Sequence, residues 1–435
     1  MAGGHRPAVN DAREAVAAVW RISSARIVGA LARCTGDFAL AEDLAQEAMA
    51  EALVSWPRDG LPRNPTGWLM TVGRRRAIDT FRRRDALDER YAALAHDLSE
   101  GGASSGGPPV PHDPSAGDDV LSDPDRIDDD VLALVFIACH PLLSPDARVA
   151  LTLRVTGGLT CDEIARAFLV PTATVQARIT RAKKTLTAAK VRFEVPPREQ
   201  RPERLGSVLS VVYVIFTEGS TATSGNDLIR PDLAHEAVRL ARVLARLMPD
   251  EPEVHGLLGL LELTAARFPA RTGPDGDPVL LADQDRRRWD LAAVRRGRFA
   301  LARAGRVGDG LGAYGLQAAI AECHAVASSV QDTDWERIVV LYEALDRLAP
   351  SPVVELNRAV ALSMARGPAA ALRAVDDLVA REQLSGSHLL PSVRGELLSE
   401  LGRNDEARSE LECAVRLCGN ARERAVLERK LHEIR

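Results

Sequence analysis

Apolar residues recur every three or four positions along most of the chain, with charged or small polar residues between them. This spacing is typical of helices that bury one face. Only 4% of the residues are aromatic, while alanine, leucine, arginine and glutamate are frequent, which also favours helices over strands. We therefore predict an all-α protein.

The C-terminal half contains an internal repeat of helix, short turn and helix. The stretch "SPVVELNRAVALSMARGPAAALRAVDDL" from Ser351 is similar to "LLPSVRGELLSELGRNDEARSELECAVRL" from Leu389, with an offset of 36 residues when Ala371 is aligned with Ala407. That offset is close to the period of tetratricopeptide (TPR) repeats. We predict a TPR-like helical-repeat domain over residues 203–435. An irregular helical bundle remains the alternative.

Two small helical units precede this domain, at residues 10–90 and 131–192, and a polar segment separates them. From Ser99 to Asp130 the sequence "SEGGASSGGPPVPHDPSAGDDVLSDPDRIDDD" is rich in glycine, serine and proline and then in aspartate. Such a composition buries too little apolar area to offset the entropy lost on ordering. We predict a flexible acidic linker over residues 91–130.

The second small unit has the pattern of a helix-turn-helix, "LTCDEIARAFLVPTATVQARITRAKKTL". Thr160 and Glu163 have capping-box spacing at its first helix, and Thr172 is the expected cap of the second. The predicted inward residues of the second helix are Val175, Ile179, Ala182 and Leu186. A helix of this kind enters the major groove of DNA. We therefore expect DNA contacts from its outward residues, Thr172, Ala173, Thr174, Gln176, Ala177, Arg178, Arg181 and Lys184.

The charge of this second helix supports DNA binding. Residues 172–190 contain five basic residues and no acidic one, although the formal net charge of the whole chain is -5. Arginine and lysine reach phosphates, while small and amide side chains contact base edges. A helical hairpin with a solvated basic face is the alternative interpretation.

The first small unit combines an acidic helix with an arginine-rich helix. In "ALAEDLAQEAMAEAL", residues 39–53, the predicted buried residues are Leu40, Leu44, Ala48 and Leu53, and the predicted outward residues are Glu42, Asp43, Gln46, Glu47 and Glu51. A Pro/Gly-rich loop follows, then an expected cap at Thr66 and a helix containing "TVGRRRAIDTFRRRD". The apolar residues of this predicted helix are Trp68, Leu69, Val72, Ile78 and Phe81. The six arginines predict a surface that binds phosphates.

Other kinds of site find no support in the sequence. Gly310, Gly312 and Gly315 match G-x-G-x-x-G, but a basic helical segment precedes them where a dinucleotide site needs a strand, so we predict a loop. Neither a zinc-type Cys/His cluster nor a nucleophile–base pair is apparent. The N-terminus has no apolar signal core, and residues 205–216 are too short to span a bilayer. We therefore expect that the protein is not an enzyme and has no cofactor or metal site. We also expect that it does not bind a membrane and that it is cytoplasmic.

Three motifs, in this order, resemble an extracytoplasmic-function (group IV, sigma-70 family) RNA polymerase sigma factor. They are "AEDLAQEAMAEAL", "PTGWLMTVGRRRAIDTFRRR" and the helix-turn-helix sequence. With "RPERLGSVLSVVYVIFTEG" and the repeats, the chain is similar to the subgroup that has a C-terminal TPR-like extension. The resemblance implies a sigma region 2 at residues 10–90, for core polymerase and -10 binding, and a region 4 at residues 131–192, for -35 binding.

The resemblance also implies roles for individual residues. The residues implied to bind core polymerase are Asp43, Gln46 and Glu47. A loop at residues 56–67 captures a flipped base, with Asn64 as the leading candidate. The implied -10 contacts are Asn64, Trp68, Arg74, Arg75, Asp79, Arg82 and Arg83, and the implied -35 contacts are Thr172, Thr174, Gln176, Ala177, Arg178, Arg181 and Lys184. Arg75 and Gln176 depart from the family pattern, in which Asn and Lys are commoner.

The implied function is a sigma factor that binds bacterial core RNA polymerase through the beta-prime clamp helices and the beta flap, recognises promoter DNA and melts it. The repeat domain is expected to regulate or support that activity and to bind a regulatory protein. The alternative is a stand-alone helix-turn-helix transcriptional regulator with a TPR-type sensing or protein-binding domain. That alternative needs no polymerase docking.

Overall fold

The computed structural model describes residues 6–98, 124–168, 170–197, 200–220, 230–273 and 277–434. It divides into a first unit, which ends at residue 211 and omits residues 167–169, and a second unit, which contains those three residues and continues from residue 212. Within the described ranges the regular elements are helices, accompanied by one isolated antiparallel bridge between Thr272 and Pro278. The all-α prediction is confirmed.

The first unit consists of seven helices and the beginning of an eighth in the described part of the chain. Helix α1 packs on α2, α3 and α4, while α5 packs on α7. Fully buried side chains of this core include Ile27, Leu31, Phe136 and Leu151. The helices are α1 Arg6–Thr35, α2 Phe38–Asp59, α3 Pro65–Leu98, α4 Pro124–Ala138, α5 Pro145–Val155, α6 Cys161–Phe168, α7 Thr172–Ala188 and α8 Arg201–Ser220.

Helix α5 begins at a side-chain cap, and the predicted capping box of α6 is confirmed. Ser144 caps α5, with Pro145 at the first helical position. Thr160 and Glu163 form the reciprocal capping box of α6, because the Thr160 N–H donates to Glu163 at 2.8 Å and the Glu163 N–H donates to Thr160 at 3.1 Å. Burial raises the pKa of Glu163, but the two hydrogen bonds from Thr160 outweigh it and the net pKa is lowered.

Two other predicted caps are wrong. Helix α3 is capped by Asn64, whose side-chain oxygen accepts the N–H of Gly67 at 3.0 Å, while the Thr66 hydroxyl bonds to Ser23. Helix α7 has Pro171 at its N-cap and no side-chain cap, because the Thr172 hydroxyl donates to Asp162 of α6 at 2.8 Å. Thr172 therefore connects the two helices of the motif.

The buried faces of α2 and α3 differ from the predicted ones at three positions. Glu42 is 3% exposed, whereas Leu53 is 39% and Ile78 is 38% exposed. The buried face of α2 is made mainly of alanines, such as Ala41, Ala45, Ala48 and Ala52. Small side chains let neighbouring helices approach closely. The alanine side of α2 is therefore buried, and Leu53 lies outside it.

Both ends of the predicted linker are helical. Helix α3 continues to Leu98 and α4 begins at Pro124, where the linker was expected to span residues 91–130. The sequence of residues 86–98 is rich in Ala, Leu and Glu, which favour helix, and Pro124 suits a first helical position. The middle of the predicted linker, residues 99–123, lies outside the described residues.

One segment of the described chain, Ala15–Thr35 in α1, is long and apolar enough to cross a membrane by length and composition. The segment contains three arginines, Arg21, Arg26 and Arg33. Within the protein, 56% of its most apolar window is buried. Core helices pass the same test of length and composition, and α1 lies at the centre of the first unit.

In the second unit, α10 packs on α9, α12 and α13, and from α12 to α19 each helix packs on the next in chain order. The two stretches aligned above form α15–α16 and α17–α18, and the aligned Ala371 and Ala407 are both fully buried. Its helices are α9 Pro231–Leu247, α10 Pro252–Ala265, α11 Phe268–Arg271, α12 Leu291–Val307, α13 Ala313–Val326, α14 Trp335–Leu348, α15 Pro352–Arg366, α16 Pro368–Ala380, α17 Leu389–Glu400, α18 Asn404–Leu417 and α19 Ala421–Glu433.

The glycine-rich stretch lies, as predicted, in a loop and helix start between α12 and α13. The carboxylate of Glu253 accepts the N–H groups of Tyr314 and Gly315 at 3.0 and 3.3 Å. A side chain of the protein therefore occupies the helix N-terminus at which a dinucleotide phosphate would bind.

His324 in α13 makes the stability of the second unit depend on pH. Burial, and then the charges of Arg267 and Arg286, lower the pKa of His324 to about 4 from an ordinary value of 6.5. The unfolded chain therefore takes up a proton between about pH 6.5 and 4 that the folded chain does not. The stability that depends on an uncharged His324 is therefore complete above about pH 6.5 and is lost as the pH falls from there to about 4.

We expect the free energy of unfolding to fall by about 2–3 kcal/mol from this group across the window. Replacing His324 with Phe keeps an aromatic ring against Trp335 and removes the titration. Denaturant unfolding of wild type and variant at about pH 7 and about pH 5 measures the difference. An equal loss of stability in both proteins contradicts the assignment.

Candidate nucleic-acid interface

The outward side of α7 is a surface of basic, amide and small side chains. The predicted inward residues Val175, Ile179, Ala182 and Leu186 are all buried. Among the predicted DNA-contacting residues, Ala173, Gln176, Ala177, Arg181 and Lys184 are exposed, and Thr172, Thr174 and Arg178 are half-buried. The basic side chains of this surface can bind phosphates, and its amide side chain can hydrogen-bond to base edges.

Arg178 is held by a neighbouring helix. It forms an ion pair with Asp146 of α5 at 2.6 Å, and the Asp146 side chain is 65% exposed. Ion pairs open to water contribute little free energy. A DNA phosphate can therefore replace Asp146 as the partner of Arg178 at small cost.

The arginines of α3 fall into two groups. Arg82 and Arg83 are exposed, as is Asp79, and the part of the chain that the structure describes offers none of the three an ion-pair partner. Arg75 and Arg76 instead contact α2. Arg75 donates to Glu51 at 2.8 Å, and Arg76 donates to Glu47 at 2.9 Å and to Glu51 at 2.7 Å.

These contacts fix α3 against α2, while Arg82 and Arg83 of the same helix are exposed. The hydrogen bond from Arg76, supported by that from Arg75, lowers the pKa of Glu51 against the opposing effect of burial. Of the remaining predicted -10 residues on this helix, Arg74 and Trp68 are half-buried. The side chain of Arg84, in the same arginine run, lies outside the described residues.

The predicted base-capturing loop is shorter than expected. Trp56 belongs to α2 and is buried, and its ring packs edge-on against Trp68 at 5.7 Å between centroids. The loop proper runs from Gly60 to Asn64. Asn64 is exposed, and because its side-chain oxygen caps α3, its NH₂ group remains at the loop end of the helix.

We define the acidic face of α2 as Glu42, Asp43, Gln46 and Glu47, and the helix-turn-helix unit contacts the first three of these residues. Lys183 of α7 forms ion pairs with Glu42 and, at 2.6 Å, with Asp43. Arg154 of α5 donates to Gln46 and lies 3.5 Å from Glu42. We call this set of interactions the closed contact.

Three side chains of the closed contact are largely shielded from water, whereas that of Asp43 is 64% exposed. Side-chain exposure is 16% for Lys183, 13% for Arg154 and 4% for Glu42. Burial lowers the pKa of Lys183, but the carboxylates of Glu42 and Asp43 outweigh it, and the net pKa is raised. Lys183 is therefore charged at neutral pH.

Four residues of the ion pairs around α2 were not predicted as site residues: Glu42, Arg154 and Lys183 of the closed contact, and Arg76 of α3, which pairs with Glu47 and Glu51. Lys183 is four positions after the buried Ile179, so helical spacing places it beside the buried face rather than opposite to it. That was a signal in the sequence. The identity of its partners was not, since Glu42 and Asp43 precede it by about 140 residues.

Three family models match separate parts of the chain. Residues 22–87 match the model of sigma-70 region 2, and residues 134–186 match the model of sigma-70 region 4. Residues 204–305 match a family of unknown function, DUF6596. The first two matches contain the α3 arginines and α7.

Two curated relatives were compared with the chain. An uncharacterized protein of Rhizobium meliloti is 42% identical over 420 residues, which cover 94% of this chain and 93% of the relative. A probable extracytoplasmic-function RNA polymerase sigma factor, SigI of Mycobacterium tuberculosis, is 26% identical over 187 residues, or 43% of this chain and 59% of the relative. No solved structure matches significantly.

Proposed function

Since the chain belongs to the extracytoplasmic-function group of sigma-70 factors and carries a C-terminal extension, we propose that it binds core RNA polymerase, recognises -35 and -10 promoter elements and melts the DNA. The sigma-factor family is not enzymatic, and it acts with core polymerase and promoter DNA. A cytoplasmic location follows from that role. The detailed partners and residue roles below are proposals.

The proposed core-docking residues are Asp43, Gln46 and Glu47, which bind the beta-prime clamp helices, while the helix-turn-helix unit binds the beta flap. Charged faces of this kind steer association and fix its register. On DNA, α7 reads the -35 element through Gln176 and Arg181, and α3 holds the -10 backbone through Arg82 and Arg83. The observation that carries the proposal is the pairing of an acid-free α7 surface with the outward arginines of α3 in one unit.

The closed contact and polymerase docking exclude each other in this proposal, because both use Asp43 and Gln46. Lys183 and Arg154 occupy the groups that the polymerase needs. We therefore propose that the first unit opens when it binds core polymerase. Opening exchanges shielded ion pairs for new ones, so its cost is modest when the polymerase supplies replacement charges.

The C-terminal domain is proposed to regulate or support this activity. A truncation that tests this role must keep α8. Three residues of α8 are buried, namely Leu205, Val208 and Leu209. Its Ser207 hydroxyl accepts from Arg148 and donates to the carbonyl of Cys139, both within the first unit. Cutting before Arg201 removes part of that unit's core. Cutting after Ser220 retains it, and a change in transcription by this shorter chain then reports on the repeats.

Asn64 provides a test of base capture that separates it from helix capping. Replacing Asn64 with Ser keeps an oxygen that caps α3 and removes the NH₂ group, whereas Ala removes both. We expect Asn64→Ser to retain stability and lose promoter opening, measured by permanganate reactivity of unpaired thymines. Asn64→Ala should also lose about 1 kcal/mol of stability. Normal opening by both variants contradicts a base-capturing role for Asn64.

Binding of core polymerase distinguishes the proposal from a stand-alone DNA-binding regulator. Fluorescently labelled full-length chain is titrated with purified core polymerase in the absence of DNA. The proposal predicts saturable binding that an unlabelled sigma factor displaces. Binding to DNA but not to core polymerase supports the regulator instead.

A further inference from the structure

A cavity of about 290 Å³ opens within the second unit, between residues 267–271 and 278–284 on one side and helices α17 and α19 on the other. Arg267 and Arg271 line the first side, and His388 and Lys430 line the second. Apolar residues form the rest of the wall: Pro278, Val279, Leu280, Leu281, Leu389, Val426 and Leu427. The cavity thus combines a basic end with an apolar body.

Arg267 is held rigidly at this cavity. Its guanidinium lies over the ring of Trp289, 5.5 Å from the centroid, and its Nε donates to the buried Gln284 at 3.3 Å. Among the described residues, no carboxylate forms an ion pair with it. Burial, and then the charges of Arg271 and Arg286, lower the pKa of Arg267 to about 10, so it stays charged at neutral pH without a counter-ion.

Among the residues that the structure places around the cavity, the carboxylate is that of Glu423, and it already has a partner. Glu423 faces His388 at 3.4 Å. On the same side of the cavity, Lys430 pairs with Glu396, so the charge of Lys430 is partly compensated. The basic excess therefore comes mainly from Arg267, since the charge of Glu423 also acts on Arg271, which donates to the carbonyl of Ser220 at 2.7 Å.

A metal ion fits this place poorly, although His388, Cys418 and Glu423 bring their donor atoms within 4.8 Å of one another. The Cys418 thiol donates to the carbonyl of Asn420, and burial raises its pKa, which disfavours the thiolate a metal requires. The neighbouring arginines also repel a cation. An anion suits the same charges.

We propose that this cavity binds a small organic anion, a carboxylate or phosphate monoester joined to an apolar group. Guanidinium groups bind both kinds of anion through paired charge-assisted hydrogen bonds. The apolar wall receives the rest of the ligand. The cavity lies at the lower end of the roughly 300–1,000 Å³ typical of small-molecule sites, so a single ring or a short branched chain fills it.

Such a ligand connects two parts of the repeat domain that are distant in sequence. Residues 267–284 and α19 already meet through the ion pair of Asp277 with Arg422 at 2.7 Å. A bound anion adds contacts to both sides and stabilises their association. Any effect on transcription rests on the proposed sigma-factor function, but the binding itself does not.

Calorimetric titration of the full-length chain tests the site without polymerase or DNA. Benzoate and phenyl phosphate are the probes, and benzyl alcohol is the uncharged control. We expect at least one anion to bind about tenfold or more tightly than the alcohol. Comparing benzoate with phenyl phosphate identifies which kind of anion the arginines prefer.

Two variants and two matched controls locate the binding. Arg267→Gln removes the charge, and Leu389→Glu, at a residue 45% exposed, adds a repelling charge at the cavity without disturbing the core. Both should weaken anion binding about tenfold. Arg366→Gln and Leu348→Glu make the same changes at exposed places away from the cavity and should leave it unaltered. Absence of saturable anion binding, or equal binding by all four variants, overturns the proposal.

Discussion

Replacing Lys183 with Met is expected to raise the affinity for core RNA polymerase about tenfold. Methionine keeps most of the side-chain volume but removes the charge that holds Asp43 and Glu42. Glu42 retains Arg154 as a neighbour at 3.5 Å, so the buried carboxylate is not left alone. The closed contact weakens, and the acidic face becomes available for docking. Titration of labelled chain with core polymerase measures the change.

Lys184→Met is the matched control for this variant. Lys184 is the next residue of α7, is exposed, and makes none of the described contacts with α2. Its replacement removes the same charge from the same helix and should leave the affinity for core polymerase unchanged. If Lys183→Met binds polymerase no more tightly than wild type, the closed contact does not compete with docking.

Replacing Asp43 with Asn is expected to have the opposite effect, a loss of core affinity of about thirtyfold or more. Both Asp43→Asn and Lys183→Met remove the pair between Lys183 and Asp43. Only Asp43→Asn also removes a charge that the polymerase is proposed to bind. The two variants therefore separate release of the closed contact from loss of docking, and the same titration measures both.

Asp59→Asn serves as the control for Asp43→Asn, since Asp59 is exposed at the C-terminal end of the same helix. It should bind core polymerase like wild type. An Asp43→Asn variant with higher affinity would mean that Asp43 acts only in the closed contact. In that case another surface of the first unit docks on the polymerase.

Helical spacing in the sequence predicted the parts of the fold that depend on local pattern. The buried face of α7 and the capping box of α6 agree with the structure because neighbouring residues determine both. The cap of α3 was misplaced by two residues. Pro65 favours the first helical position and so indicated Asn64 as the cap, a signal that the choice of Thr66 overlooked.

The closed contact could not be predicted from spacing, because it joins residues far apart in the chain. Glu42 was expected to face water, yet it is buried where α2 meets Lys183 and Arg154. Periodicity does not reveal which helix packs against a given face of α2. The cavity of the second unit is hidden for the same reason, since Arg267 and Lys430 come from distant segments.

Transcription from a pool of random DNA sequences by purified core polymerase tests the central claim most directly. The proposed function predicts that full-length chain plus core polymerase makes RNA from templates that share two spaced upstream elements, and that core polymerase alone does not. Sequencing of the transcripts identifies these elements. RNA output equal to that of core polymerase alone, from a chain that still binds DNA, would contradict the claim.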